Sequence, residues 1–130
     1  MDPLTCWYAR AMTHLAELGP AFREFARVLR PGEAAVISNI HHHSLPLGGV
    51  IQMLSSAGRP IQLPATPFLP TDYIMAALDA GFQIRACAEV GWPDVAGGHG
   101  GPAAQAWCRE AAQAAYVGMP ALMLLELTRA

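Results

Sequence analysis

The stretch PAFREFARVLRPGEAAVISN, residues 20–39, decides how this 130-residue chain is read. Pro20 suits a first helical position, and Ala21, Phe22, Phe25, Val28 and Leu29 then recur at helical spacing. Arg23, Glu24, Arg27 and Arg30 occupy much of the opposite face. Pro31 and Gly32 stop the helix and turn the chain. Residues 34–40 follow as an unbroken, mostly apolar run centred on Val36 and Ile37, the pattern of a strand covered by helices on both sides. An amphipathic helix, a tight turn and a buried strand belong to the interior of an α/β sheet.

Outward from this unit the pattern weakens. Residues 1–12 are ambiguous: Leu4, Cys6, Trp7 and Tyr8 could begin a strand, but Pro3 restricts its start and Arg10 interrupts it. Residues 41–70 hold Gly48, Gly49, Pro60, Pro64, Pro67 and Pro70, which disfavour regular structure, and residues 50–54 are expected to form a short helix packed as a lid. Thr71 can cap a helix through Tyr73, Met75 and Leu78 that ends at Gly81. Residues 82–90 read as a strand with Phe82, Ile84, Ala86 and Ala88 on one side and Gln83, Arg85, Cys87 and Glu89 on the other. The glycines at 97, 98, 100 and 101 lack the lysine of a phosphate-binding loop. Residues 102–116 suggest an alanine-rich helix anchored by Trp107, and residues 121–128 a last strand with Leu122, Leu124, Leu125 and Leu127 toward the core. One domain over residues 1–130 is expected, with no repeats.

Composition narrows the function. Apolar residues make up 53% and charged ones 14%, against about a quarter charged in ordinary domains. This excess fits doubly covered strands or surface hidden against a partner. The net charge of -2, carried without a single lysine, argues against nucleic-acid binding. No run approaches the roughly 20 apolar residues of a membrane span, and no basic-then-apolar leader opens the chain, so a cytoplasmic protein is expected. Cys6, Cys87 and Cys108 form an odd set, read as isolated buried thiols.

The pieces together resemble a known family. Thr13-His14-Leu15-Ala16-Glu17-Leu18, then Phe25 to Gly32 ending in Leu29-Arg30-Pro31-Gly32, then Val36-Ile37-Ser38-Asn39 resemble the second half of class I S-adenosylmethionine-dependent methyltransferases. Thr71-Asp72-Tyr73 and Ala80-Gly81-Phe82 continue the likeness. The resemblance implies an incomplete Rossmann-like α/β fold, the C-terminal part of a mixed sheet with flanking helices. It also implies that the last strand is reversed and inserted between its two predecessors. S-adenosylmethionine is the implied cofactor. The family's glycine-rich grip and acidic ribose ligand have no counterpart before His14, so no cofactor-binding residue is assigned, and an N-terminal half is expected to be missing.

Chemistry is then sought at the rim. By the resemblance His14 follows a central strand near the reacting centre, where its imidazole could take a proton from a substrate hydroxyl or amine; alternatively it caps the turn. Asn39 and His41 stand at the carboxyl end of the central strand, where ligands gather in open α/β sheets. Asn39 could orient a substrate, and His41 could act as a base or close the loop. Tyr73 and Trp92 are pocket aromatics or core. Three consecutive histidines, His41, His42 and His43, rarely point into one shell, and no carboxylate stands at a supporting spacing, so no metal site is assigned. His99 is a weaker candidate still.

Two function classes remain. One is a methyltransferase fragment acting on a small molecule, inactive alone and completed by a missing N-terminal half or a partner. The other is a non-catalytic interaction module, such as a homodimer joined through an incomplete sheet. A remnant without independent folding is a third.

Overall fold

The computed structural model describes residues 5–9, 11–45, 52–92 and 109–130. Strands β1 (Thr5–Ala9) and β2 (Ala34–Ile40) pair in parallel, with helix α1 (Gly19–Val28) between them in sequence. The weak N-terminal pattern therefore does form a strand: parallel pairing beside β2 overrides the unfavourable local sequence. The helix, turn and strand of the central stretch form where their pattern indicates, but the described helices α1 and α2 cover only the Ala35 and Ile37 face of β2. Phe22 is fully buried, Leu18 and Leu29 flank it, and Arg23, Glu24, Arg27 and Arg30 face solvent. Val28 departs from the expected stripe at 56% exposed.

The Arg-Pro-Gly turn has a definite geometry. The Glu33 N–H donates to the Arg30 carbonyl at 3.0 Å, with Pro31 and Gly32 at the two central positions and Gly32 at φ +84°. This is the type II arrangement, which needs a left-handed residue at its third position. The turn is tied to the end of the chain, since Gly32 N–H donates to the Arg129 carbonyl and Arg129 N–H to the Glu33 carbonyl, each at 2.9 Å. A Cβ at Gly32 meets nothing within 4 Å, so only backbone strain opposes a side chain there. Gly32→Ala is expected to lower the unfolding free energy by about 1–2 kcal/mol, read as a lower urea midpoint at unchanged slope.

The loop after β2 departs from expectation. Residues 50–54 do not supply a lid helix: β3 (Gln52–Leu54) pairs antiparallel with β4 (Pro60–Gln62) in a small separate hairpin, while residues 50 and 51 lie outside the described residues. The connection closes through Gly58 at φ +71°, whose N–H donates to the Ser55 carbonyl at 2.8 Å. Helix α2 (Pro70–Asp79) begins one residue before the expected cap at Thr71. Pro70 takes the first turn, and the Asp72 carboxylate accepts the Leu69 N–H at 2.8 Å.

Strand β5 (Phe82–Gly91) and the last strand β6 (Pro120–Arg129), preceded by helix α3 (Arg109–Tyr116), complete the main sheet in the order β1-β2-β6-β5. Strand β6 runs antiparallel to both neighbours, the reversed insertion that the resemblance implies. Residues 93–108, with the glycine-rich stretch, His99, Trp107 and Cys108, lie outside the described residues. So does the start of the alanine-rich helix.

The two faces of the sheet differ. Ala35, Ile37, Met123, Leu125, Leu127 and Phe82 pack beneath Phe22, Tyr73 and Ala77 of α1 and α2. Leu122 and Leu124, expected in the core, instead share the opposite face with half-buried Val36 and exposed Ala86, Ala88 and Val90. Strand alternation puts Ala121, Met123, Leu125 and Leu127 inward. A register shift between Ile84 and Ala86 makes Arg85 an extra residue, so the expected two sides of β5 fail beyond it. Ile84 opposes Leu127, but Cys87 and Glu89 oppose Leu125 and Met123 on that same helix-covered side of the sheet. Cys87 is nonetheless exposed and free, contrary to the expectation of buried thiols.

Candidate functional site

Parallel pairing of β1 with β2, and β6 antiparallel to both β2 and β5, bring the carboxyl ends of β1, β2 and β5 to one edge of the sheet. The 3-10 turn Met12–His14 follows β1 there, the 3-10 turn His42–Ser44 follows β2, and Trp92 follows β5. The separated sequence candidates His14, Asn39, His41 and Trp92 thus gather along a single rim. Ligands collect at this rim in open α/β sheets.

Each candidate has a specific setting. His14 is exposed and its Nδ1 lies 2.8 Å from the Pro64 carbonyl. A carbonyl only accepts, so Nδ1–H is the donor, and in the neutral ring Nε2 carries the lone pair. Around it Thr66 ties the proline-rich loop down: its N–H donates to the Thr13 carbonyl at 2.6 Å and its hydroxyl to the Leu15 carbonyl at 2.9 Å. Asn39 is fully buried and donates through Nδ2 to the Tyr73 hydroxyl, linking β2 to α2. Burial is the main force pushing the Tyr73 phenol up to about 12, against the bond from Asn39, which lowers it. Trp92 is half-buried, and its N–H donates to the Met119 carbonyl at 2.8 Å.

The three consecutive histidines behave unlike the sequence expectation. His41 ends the extended segment and the chain then coils into a 3-10 turn, which defeats the alternation that would splay the rings. One ring nitrogen from each of His41, His42 and His43 lies within 4.8 Å of the others. A carboxylate stands beside them as well: Glu89 Oε1 is 3.0 Å from His41 Nε2. The extra residue in β5 gives Glu89 this side of the sheet, and the small Ala121 carries the backbone carbonyl that accepts the His41 N–H. His41 Nδ1 accepts the His43 N–H at 3.3 Å, so Nε2 is the protonated nitrogen that donates to Glu89. Desolvation, reinforced by His41 and His43, pulls the His42 imidazole below its usual range and favours its neutral form.

Among the described residues, four buried side-chain polar atoms lack a hydrogen-bond partner: Thr13 Oγ1, Asn39 Oδ1, His42 Nδ1 and Ser44 Oγ. All four sit where β1 and β2 run out at the carboxyl edge. Such atoms are few in native proteins, and each calls for an explanation such as strain, a catalytic role, a bound water or an ion. Ser44 and Glu89 have no motif to announce them in the sequence, whereas Thr13 lies in the Thr-His segment and His42 in the histidine run. By contrast, an open groove of about 470 Å³ between α1 and α2, lined partly by Arg23, Phe68, Asp72 and Asp79, includes none of the rim residues.

No protein-family model and no curated protein matches the sequence. Solved structures do. An S-adenosylmethionine-dependent methyltransferase from Mesorhizobium loti matches with TM-score 0.56 and 17% identity, over 96% of this chain and 61% of that one. A chain of the Haloferax volcanii complex of the Trm112 methyltransferase activator matches with TM-score 0.63 and 19% identity, over 98% and 54%. The fold is a partial Rossmann-like methyltransferase fold. The [4+2]-cyclase SpnF shares it, with TM-score 0.54 and 20% identity over 96% and 50%. The chain thus spans between a half and three fifths of the length of these three structures. A cyclase beside a methyltransferase illustrates that this fold does not fix the reaction. No helix among the described residues is long and apolar enough to cross a membrane.

Proposed function

We propose that this chain supplies the substrate-side part of an S-adenosylmethionine-dependent methyltransferase acting on a small molecule, with the cofactor cradle contributed by an N-terminal half or partner polypeptide. The observation that carries this reading is the set of four unpartnered buried polar atoms at the carboxyl edge of a methyltransferase-type sheet. The described residues do not fit the cofactor by themselves. Their left-handed glycines, Gly32, Gly58, Gly81 and Gly118, lie in turns that lead into strands or join a hairpin, none of them a loop leaving a strand for a helix at that edge. No carboxylate closes β1 or β2 to receive a ribose.

Within this reading His14 serves as base through its free Nε2, with the ring oriented by Pro64, and His41 is the second base candidate. Asn39 and Trp92 border the acceptor, and Tyr73 holds Asn39 in place. Calorimetric titration of the purified chain with S-adenosylmethionine should give no saturable heat. Co-expression with the coding segment immediately upstream should restore it, together with methyl transfer that drops at least tenfold in His14→Ala. Specific cofactor binding by the chain alone rejects the partner-dependent form, and no binding with the upstream segment rejects the methyltransferase reading.

The second reading is a non-catalytic homodimer. Its support is the sheet face opposite α1 and α2, where Val36, Ala86, Ala88, Leu124 and Glu126 line a hollow of about 250 Å³ among the described residues. A monomer across a wide concentration range in sedimentation would end that reading.

A further inference from the structure

We propose that His41, His42 and His43 bind a first-row divalent cation of the zinc, nickel or copper kind, with Glu89 orienting His41 as a ligand. This stands whether or not the chain takes part in methyl transfer.

Three features converge on the same turn. One ring nitrogen from each histidine already lies within 4.8 Å of the other two. An ion about 2.1 Å from each in a tetrahedral shell needs them roughly 3.4 Å apart, so modest side-chain rotations close the shell. His42 Nδ1 is buried without a partner, a lone pair withdrawn from water and given nothing in return. His41 is set up as a ligand by Glu89: the carboxylate accepts a hydrogen bond from the Nε2–H at 3.0 Å and leaves Nδ1 as the electron-pair nitrogen. Its present bond, the 3.3 Å contact from the His43 N–H, is long and easily given up. A carboxylate on the distal nitrogen is the usual support for a metal-bound imidazole.

The donor set selects the ion. Three imidazoles suit zinc, nickel and copper, whereas magnesium and calcium demand oxygen ligands. His43 is exposed, so the ion reaches the turn from solvent and keeps a coordination position for water or an oxygen-bearing ligand.

The test uses the full chain, stripped with chelator and titrated with zinc and with nickel by calorimetry. One ion per chain is expected, with a thermal midpoint that rises with metal concentration. His42→Ala and His43→Ala should each weaken binding at least thirtyfold, while His99→Ala leaves it unchanged. The discriminating variant is Glu89→Gln, which should weaken binding about 10- to 100-fold because the folded strand presents it to His41. A flexible run of histidines is indifferent to position 89. Equal affinity in Glu89→Gln, equal affinity of the urea-unfolded chain, or loss in His99→Ala would each overturn the proposal. His43 and Glu89 are exposed, so unchanged melting of their metal-free variants separates lost ligation from lost folding.

Discussion

Phe22→Ala is expected to lower the unfolding free energy by about 3–5 kcal/mol, the cost of emptying a large aromatic site in a packed core. Phe22 is fully buried on α1 and meets Phe25 edge-to-face with ring centroids 5.9 Å apart. Its neighbours beneath are the sheet residues that the β2 and β6 alternation turns inward, Ile37, Leu125 and Leu127 among them. Small residues such as Ala35 and Ala77 line the same core, and none can grow to fill the void. Val28→Ala is the matched control: with its side chain largely in water, a change within about 0.5 kcal/mol is expected. Urea unfolding followed by circular dichroism distinguishes the two. A small loss at Phe22, or a comparable loss at Val28, would mean that α1 does not pack on the sheet by the face described. The effect is large relative to the total stability of such a domain, roughly 5–15 kcal/mol, so the variant's population of unfolded chain should be measurable without denaturant.

Legibility of the fold in the sequence followed the strength of local signals. The α1–turn–β2 unit was readable because three independent cues coincide there: helical spacing, a Pro-Gly stop and a continuous apolar run. The turn geometry at Arg30 to Glu33 explains why that motif is compact enough to recognise. β1 was poorly readable because its stability comes from pairing with β2, a contact that no local window records. β5 was assigned in extent but only partly in facing. Arg85 is one residue too many for strict alternation, and every inference about sides beyond it inverts. That inversion also hides Glu89 as a neighbour of His41, 48 positions away. In the last strand the leucines attracted attention, yet alternation buries Ala121 and Met123 and leaves Leu122 and Leu124 on the other face. Hydrophobicity alone ranks these positions wrongly where the described helices α1 and α2 pack on one face of the sheet. The rim position of Asn39 and His41 is legible because a strand's carboxyl end is a topological cue, that of His14 only through the family resemblance, and that of Trp92 has no cue in the sequence. The convergence of His42 and His43 was not, because it depends on a 3-10 turn that the three letters do not specify.

The buried Asn39–Tyr73 pair makes the second large effect, and it is pH-dependent. The Tyr73 phenol has an ordinary value of 10.0 and stands at about 12 in the folded chain, chiefly because burial disfavours the phenolate. A raised folded value means the neutral form is the one that folding favours. The stability it contributes is fully present below pH 10 and is lost as pH rises through the window between 10 and about 12. Two pH units correspond to at most about 2.7 kcal/mol at the alkaline end. Urea midpoints taken from neutral pH upward should therefore stay level with respect to this group and then fall steeply above pH 10. Tyr73→Phe should abolish that fall while costing about 1–3 kcal/mol at neutral pH, because Asn39 Nδ2 then joins Oδ1 as a buried atom without a partner. Adding Asn39→Leu to Tyr73→Phe should return much of that loss, since replacing both partners with apolar groups of similar shape leaves no polar atom stranded. If the double variant instead equals the sum of the single ones, the two side chains do not act on each other. If the alkaline fall persists in Tyr73→Phe, it belongs to a different group. Restored stability with abolished methyl transfer in the completed enzyme would assign the Asn39–Tyr73 pair to the acceptor rather than to the fold.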